Sequence, residues 1–115
     1  MPELSFVVVD EDAACRLVIS EVLADAGFSP VAAAASVEEL GTPGDGAVQL
    51  VIVDVSIDGL DAISALRRWW PKARVLAMTG GWKVLDAGAA EAVIYKPFTA
   101  EKLMAAVQAA LAAKR

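Results

Sequence analysis

The sequence predicts an α/β fold: a doubly wound, five-stranded parallel sheet in one domain over residues 1–115. Three observations lead there. Short apolar runs rich in β-branched residues alternate along the chain with stretches of helical spacing. Strict alternation of this kind gives a parallel sheet covered by helices on both faces. The length, 115 residues, suits one domain with one core.

Residues 4–9 form an apolar run that ends in acids, the pattern of a buried parallel strand. Over residues 13–26, Val18, Ile19, Val22, Leu23 and Ala26 recur at helical spacing with one buried face, and Gly27 closes the helix. A weaker second strand covers residues 31–34. Ser36-Val37-Glu38-Glu39 is a capping box that starts a second helix, kept short by Gly41, Pro43, Gly44 and Gly46. Residues 48–53 make the strongest strand. Ile63, Leu66 and Trp70 then lie at i, i+3 and i+7 as the core face of a third helix, which Pro71 stops. Strand four covers residues 74–78 and strand five includes 93–95. Gly80, Gly81 and Gly88 leave little room for a helix between them. Thr99 caps a last helix whose inward positions are Leu103, Val107 and Leu111.

Apolar residues make up 57% of the chain, which excludes disorder. Much of that share is alanine, and no apolar run is long enough to cross a bilayer. The first residues lack the basic and apolar regions of a signal peptide, and the single cysteine, Cys15, forms no internal disulfide. A cytoplasmic location is expected. Histidine is absent, so any phosphoryl relay through histidine must borrow it from a partner. A net charge of −5 and a pI near 4.6 argue against a grip on nucleic acid.

Four expected strands end in polar residues: Asp10-Glu11, Asp54, Thr79 and Lys96-Pro97. In an open parallel sheet these ends share one edge, where ligands bind. Three carboxylates brought together repel and need a cation, and hard oxygen donors suit Mg²⁺. A carboxylate can also attack phosphorus and form an aspartyl phosphate, with a lysine and a hydroxyl steadying the transferred group. Taken singly, each residue has a plainer role: Asp12 caps a helix, Thr79 sits in a turn, Lys96 is a solvated charge. Their common placement favours a metal and phosphate site. It does not say which carboxylate is attacked.

The chain resembles the receiver domains of two-component response regulators over nearly its whole length. The likeness is carried by Val7-Val8-Val9-Asp10-Glu11, Arg16, Ala26-Gly27-Phe28, Leu50-Val51-Ile52-Val53-Asp54-Val55-Ser56-Ile57 and Gly59-Leu60-Asp61. Val75-Leu76-Ala77-Met78-Thr79-Gly80 and Ala92-Val93-Ile94-Tyr95-Lys96-Pro97-Phe98 complete it. The resemblance implies a flavodoxin-like receiver fold with strand order 2-1-3-4-5, single-domain and similar to the chemotaxis regulators. It implies Asp54 as the phosphorylated residue. Asp10, Glu11, Asp54 and the Ser56 carbonyl are then the Mg²⁺ ligands, and Thr79 and Lys96 hold the phosphoryl group. Pro97 matches a proline whose preceding peptide is commonly cis. The implied partners are a histidine kinase or histidine phosphotransfer protein and a downstream protein target. The implied state is a monomer or weak dimer, neither bound to nucleic acid nor inserted in a membrane. It is a phosphate acceptor able to dephosphorylate itself rather than a dedicated enzyme.

Several positions depart from the family. Ile57-Asp58 replaces its Met-Pro, Ala62 its glycine, and Glu11 its commoner aspartate. Val93 stands where the switch aromatic is usual, and the only tyrosine, Tyr95, adjoins Lys96. The stretch from Thr79 to Lys96 is short by about one helical turn, so a shortened fourth helix is expected. Adjacent residues lie about 100° apart on a helix, so Trp69 and Trp70 are not expected to face the core together: Trp70 is assigned to the core, and Trp69 and Trp82 are candidates for partner contact. Two other readings fit part of the pattern. Asp10-Glu11-Asp12 resembles the Asp-x-Asp of haloacid-dehalogenase-like phosphatases, with Asp10 as nucleophile, but Asp54 then has no role and only Glu101 follows the lysine as an acid. The other is a receiver-like interaction module that takes no phosphate.

Overall fold

A computed structural model describes residues 4–41, 47–56, 60–80 and 90–113. Five parallel strands, β1 (Ser5–Val9), β2 (Ser29–Ala34), β3 (Leu50–Asp54), β4 (Arg74–Thr79) and β5 (Ala92–Tyr95), pair in the order β2-β1-β3-β4-β5. The helices are α1 (Ala13–Asp25), α2 (Val37–Leu40), α3 (Leu60–Trp69) and α4 (Ala100–Ala112). The expected shortened helix after strand four, with Gly81, Trp82 and Gly88, lies outside the described residues. So do Ile57 and Asp58.

Side chains alternate across a strand, so each strand supplies both faces of the sheet. Phe6, Val8, Leu50, Ile52, Leu76, Met78 and Ile94 meet Ile19 and Leu23 of α1 and Leu103, Val107 and Ala110 of α4. Val7, Val9, Val51, Val53, Val75 and Ala77 meet Ala62, Ile63 and Leu66 of α3 on the other side. Two apolar layers explain why the strands read as unbroken Val, Ile and Leu runs.

The helix ends follow local chemistry. Asp12 caps α1 by accepting from the N–H groups of Ala14 and Cys15, Ser36 caps α2, and Thr99 caps α4. The C-terminus of α1 is a Schellman motif: Gly27 N–H bonds Ala24 O at 3.0 Å and Phe28 N–H bonds Leu23 O at 2.9 Å. Gly27 takes φ +95°, which a side chain would disfavour.

Some expectations are corrected. The buried stripe of α1 is narrower than its apolar spacing, with Val18 51% exposed and Ala26 beyond the helix end. A helix lying on a sheet rests on one line of contact, here Ile19 and Leu23. In α4 the third fully buried position is Ala110, with Leu111 only partly covered. Trp69 and Trp70 are both half-buried against the α3-side core, their rings edge to face at 5.9 Å. Helix α3 ends at Trp69, Trp70 N–H still bonds Leu66 O at 2.9 Å, and both indoles reach one cluster. Among the described residues no helix is long and apolar enough to cross a membrane.

Candidate functional site

Each loop that carries a polar residue is fastened by one ladder bond at or just beyond the end of its strand. Asp10 N–H donates to Ala34 O at 3.0 Å, Val55 N–H to Met78 O at 2.9 Å, and Lys96 N–H to Thr79 O at 2.8 Å. The loops therefore leave the sheet from fixed points along one edge. Asp10, Asp54 and Lys96 continue the side-chain alternation of Val8, Ile52 and Ile94, so all three fall on the α1 and α4 side.

They meet there. Lys96 Nζ donates to Asp10 Oδ2 at 2.6 Å and to Asp54 Oδ2 at 2.8 Å. Asp10 Oδ1 accepts from Asp12 N–H at 2.9 Å, and Asp54 Oδ1 from Ser56 N–H at 2.8 Å. The Asp10 side chain is 1% exposed and that of Asp54 18%. Ser56 Oγ accepts from Gly80 N–H at 3.0 Å, joining the loops after β3 and β4. The Lys96–Pro97 peptide is cis.

Charge follows from this geometry. Burial alone would raise the Asp54 carboxyl, but the Lys96 ammonium and the Ser56 bonds outweigh it and hold its pKa below 3.8. Burial would lower Lys96, yet its two carboxylate partners raise it above 10.5. Cys15, beside Asp10 at the start of α1, is pushed up to about 11 by burial and then by the Asp10 carboxylate. Its thiol stays protonated at neutral pH.

The remaining candidates are placed less centrally. Glu11 is exposed at the mouth of the site. Thr79 ends β4 buried at 2% exposure, in register with Tyr95, which is 52% exposed. Val93 pairs with Ala77 and packs against the α3-side core. Among the described residues no three acidic, histidine or cysteine side chains are grouped around a metal position. The donor set still fits Mg²⁺, which takes one or two carboxylates and completes its shell with water. Asp10 and Asp54 supply two hard carboxylates in reach of one ammonium.

Arg16 is the residue whose role sequence reasoning left open. Its Nη1 donates to Asp10 O at 2.6 Å and to Glu11 O at 3.3 Å. Helix geometry held the signal: Arg16 lies four residues after the cap Asp12, one turn above the acid loop.

Comparison with known proteins agrees with this architecture. A response regulator of Rickettsia felis described as NtrX-like is 30% identical over 115 residues, covering 90% of this chain and 24% of that protein. The chain thus spans about a quarter of the length of the curated relatives it matches. A response regulator from Thermotoga maritima has the same fold, with TM-score 0.82 at 23% identity, covering 97% of this chain and 100% of that one. A response regulator from Burkholderia pseudomallei, solved with a phosphorylated aspartic acid, calcium ion and citrate, gives TM-score 0.78 at 25% identity over 92% of this chain and 67% of that one. Order β2-β1-β3-β4-β5 with these neighbours defines a flavodoxin-like receiver fold. The family model for the response regulator receiver domain matches residues 6–108, and the chain belongs to that family, which serves two-component signal transduction.

Proposed function

We propose that residues 1–115 act as one cytoplasmic receiver domain that accepts a phosphoryl group on Asp54. The observation that carries this is the contrast between the two aspartates: the Asp10 side chain is enclosed at 1% exposure, whereas that of Asp54 is 18% exposed. Both carboxylates accept from Lys96 and from a loop N–H, so access separates them: an incoming phosphorus atom meets the partly open Asp54 carboxylate, while that of Asp10 is covered. This also disfavours the phosphatase reading, in which Asp10 is the nucleophile. The related Burkholderia protein with its phosphorylated aspartic acid supports the same chemistry.

Membership of the receiver family supports a phosphohistidine donor on a histidine kinase or phosphotransfer protein, and residues 1–115 carry no histidine of their own. A carboxylate oxygen of Asp54 bonds phosphorus as the phosphorus–nitrogen bond breaks, and the electron pair leaves on the imidazole nitrogen. Lys96, already 2.8 Å from Asp54, neutralises the arriving oxygens, and the Thr79 hydroxyl bonds one of them. Asp10, Glu11, Asp54 and the Ser56 carbonyl would hold Mg²⁺, which would supply positive charge for the transfer. Asp54 phosphate then draws on Thr79 and alters a face that binds a downstream protein. On β5 Tyr95 lies in register with Thr79, and Val93 with Ala77. The output segment after Gly80 lies outside the described residues.

Acetyl phosphate with Mg²⁺, followed by borohydride trapping and peptide mass spectrometry, tests the assignment. Label is expected on Asp54 and lost in Asp54→Asn. Label on Asp10 would overturn it.

A further inference from the structure

We propose that Arg16 is a positioning residue of the acid loop: its guanidinium fixes the Asp10–Glu11 backbone so that the carboxylates face Mg²⁺. This rests on the reading of the site above and extends it to a residue outside the ligand set.

The loop is held from two sides. On one side the Asp10 carboxylate is tied to Asp12 N–H at 2.9 Å and to Lys96 Nζ at 2.6 Å. On the other, two successive carbonyls, those of Asp10 and Glu11, converge on Arg16 Nη1. A peptide unit is planar, so fixing a carbonyl fixes the plane and with it the directions leaving the flanking Cα atoms. Bonds from a guanidinium are charge-assisted and stronger than neutral ones. Arg16 is itself anchored, since its N–H donates to Asp12 O at 3.0 Å in the first turn of α1. Glu11 has more to lose than Asp10. Its side chain is exposed, and its carbonyl bond to Arg16 ties its peptide to α1.

The role has a sign that separates it from simple charge. Arg16 is a cation near a cation site. Were it only a charge, Arg16→Met would bind Mg²⁺ more tightly, because a repulsion is removed. A positioning role predicts the reverse. Groups that orient metal ligands commonly change affinity by ten- to a hundredfold, and we expect about a tenfold loss here.

The test is an Mg²⁺ titration followed by amide NMR at Ser56 and Gly80, with hydrogen exchange at the Asp12 amide measured beside global stability. Arg16→Met should weaken Mg²⁺ about tenfold and speed Asp12 exchange beyond any change in global unfolding. Arg16→Lys keeps the charge and should fall between wild type and Arg16→Met. Wild-type or tighter affinity in Arg16→Met overturns the proposal and leaves the Asp54 reading intact. If Arg16→Met does not fold, Arg16→Lys decides: unchanged affinity and unchanged Asp12 exchange overturn it. If the wild-type chain shows no Mg²⁺ shifts, the metal site fails and Arg16's role fails with it.

Discussion

Lys96 is the residue on which the site balances. It stands between two carboxylates that would otherwise face each other across the same space. Its raised pKa gives a contribution to stability that is complete below 10.5 and is lost as pH rises through the folded value. Asp54 works in the opposite sense: its lowered pKa gives a contribution present above 3.8 and lost as pH falls through the folded value. Urea midpoints against pH should therefore be level through neutrality and fall at both extremes. In Lys96→Met the alkaline fall attributable to this group should vanish, and carbon NMR should show Asp54 titrating at higher pH than in the wild type. Cys15 gives an independent reading of the same charges. With its thiol near pKa 11, alkylation by iodoacetamide at pH 8 should be far slower than for a free thiol and should rise up to about pH 11. The placement of Asp10, Asp54, Thr79 and Lys96 along one sheet edge was legible because each stands at the end of an apolar strand. The sharing of one ammonium by two carboxylates was not legible, since side-chain direction at a loop depends on bonds such as Asp12 N–H to Asp10 that no spacing reveals.

At the scale of elements, helix starts were the most readable feature, because Asp12, Ser36 and Thr99 each satisfy N–H groups that the helix cannot. The helix stop at Gly27 was equally plain. Gly27→Ala should lower stability by about 1 kcal/mol, measured by urea denaturation. Added bulk meets nothing within 4 Å, so the cost is conformational alone. The second strand was read short, from 31 rather than Ser29, and the reason is Pro30. Proline has no N–H to give and suggests a loop, yet an edge strand accommodates it, especially next to a bulge. The register shows that bulge: Phe6 pairs with Pro30 but Val7 with Ala32, so Val31 is skipped and stays 49% exposed. In α1 the apolar spacing overstated burial because valine at position 18 satisfies the helical period without touching the sheet.

The molecule as a whole joins two apolar layers through one sheet, and a polar contact closes the second layer. Arg67 of α3 donates to both carboxylate oxygens of Glu91, at 3.3 and 2.7 Å, just before β5. The Glu91 side chain is 4% exposed, and Val75 N–H also donates to it. Nothing in the sequence pointed to this pair, because its members are separated by the whole of β4 and the segment after it. Arg67→Met would leave Glu91 an enclosed charge with less compensation. We expect a loss of about 2 kcal/mol in urea denaturation, larger than for an exposed ion pair because Glu91 cannot turn to water. Double substitution with Glu91→Gln should recover part of it. A loss under about 0.5 kcal/mol in the single variant would show that water reaches the pair.

The strand order also sets a timetable for synthesis. β1 lies between β2 and β3, so Phe6, Val7, Val8 and Val9 cannot complete their pairing until residues 50–54 have been made. A nascent chain carrying only β1, α1 and β2 presents one bare apolar edge, the arrangement that recruits strands from other molecules. Contacts distant in sequence also form slowly. A ribosome-released fragment of residues 1–41 should therefore cling to chaperones or aggregate, whereas one extended through β3 and β4 should begin to shield that edge. Synonymous codon changes that slow translation ahead of Leu50 would lengthen the exposure and lower the soluble yield of a protein whose finished form is unaltered.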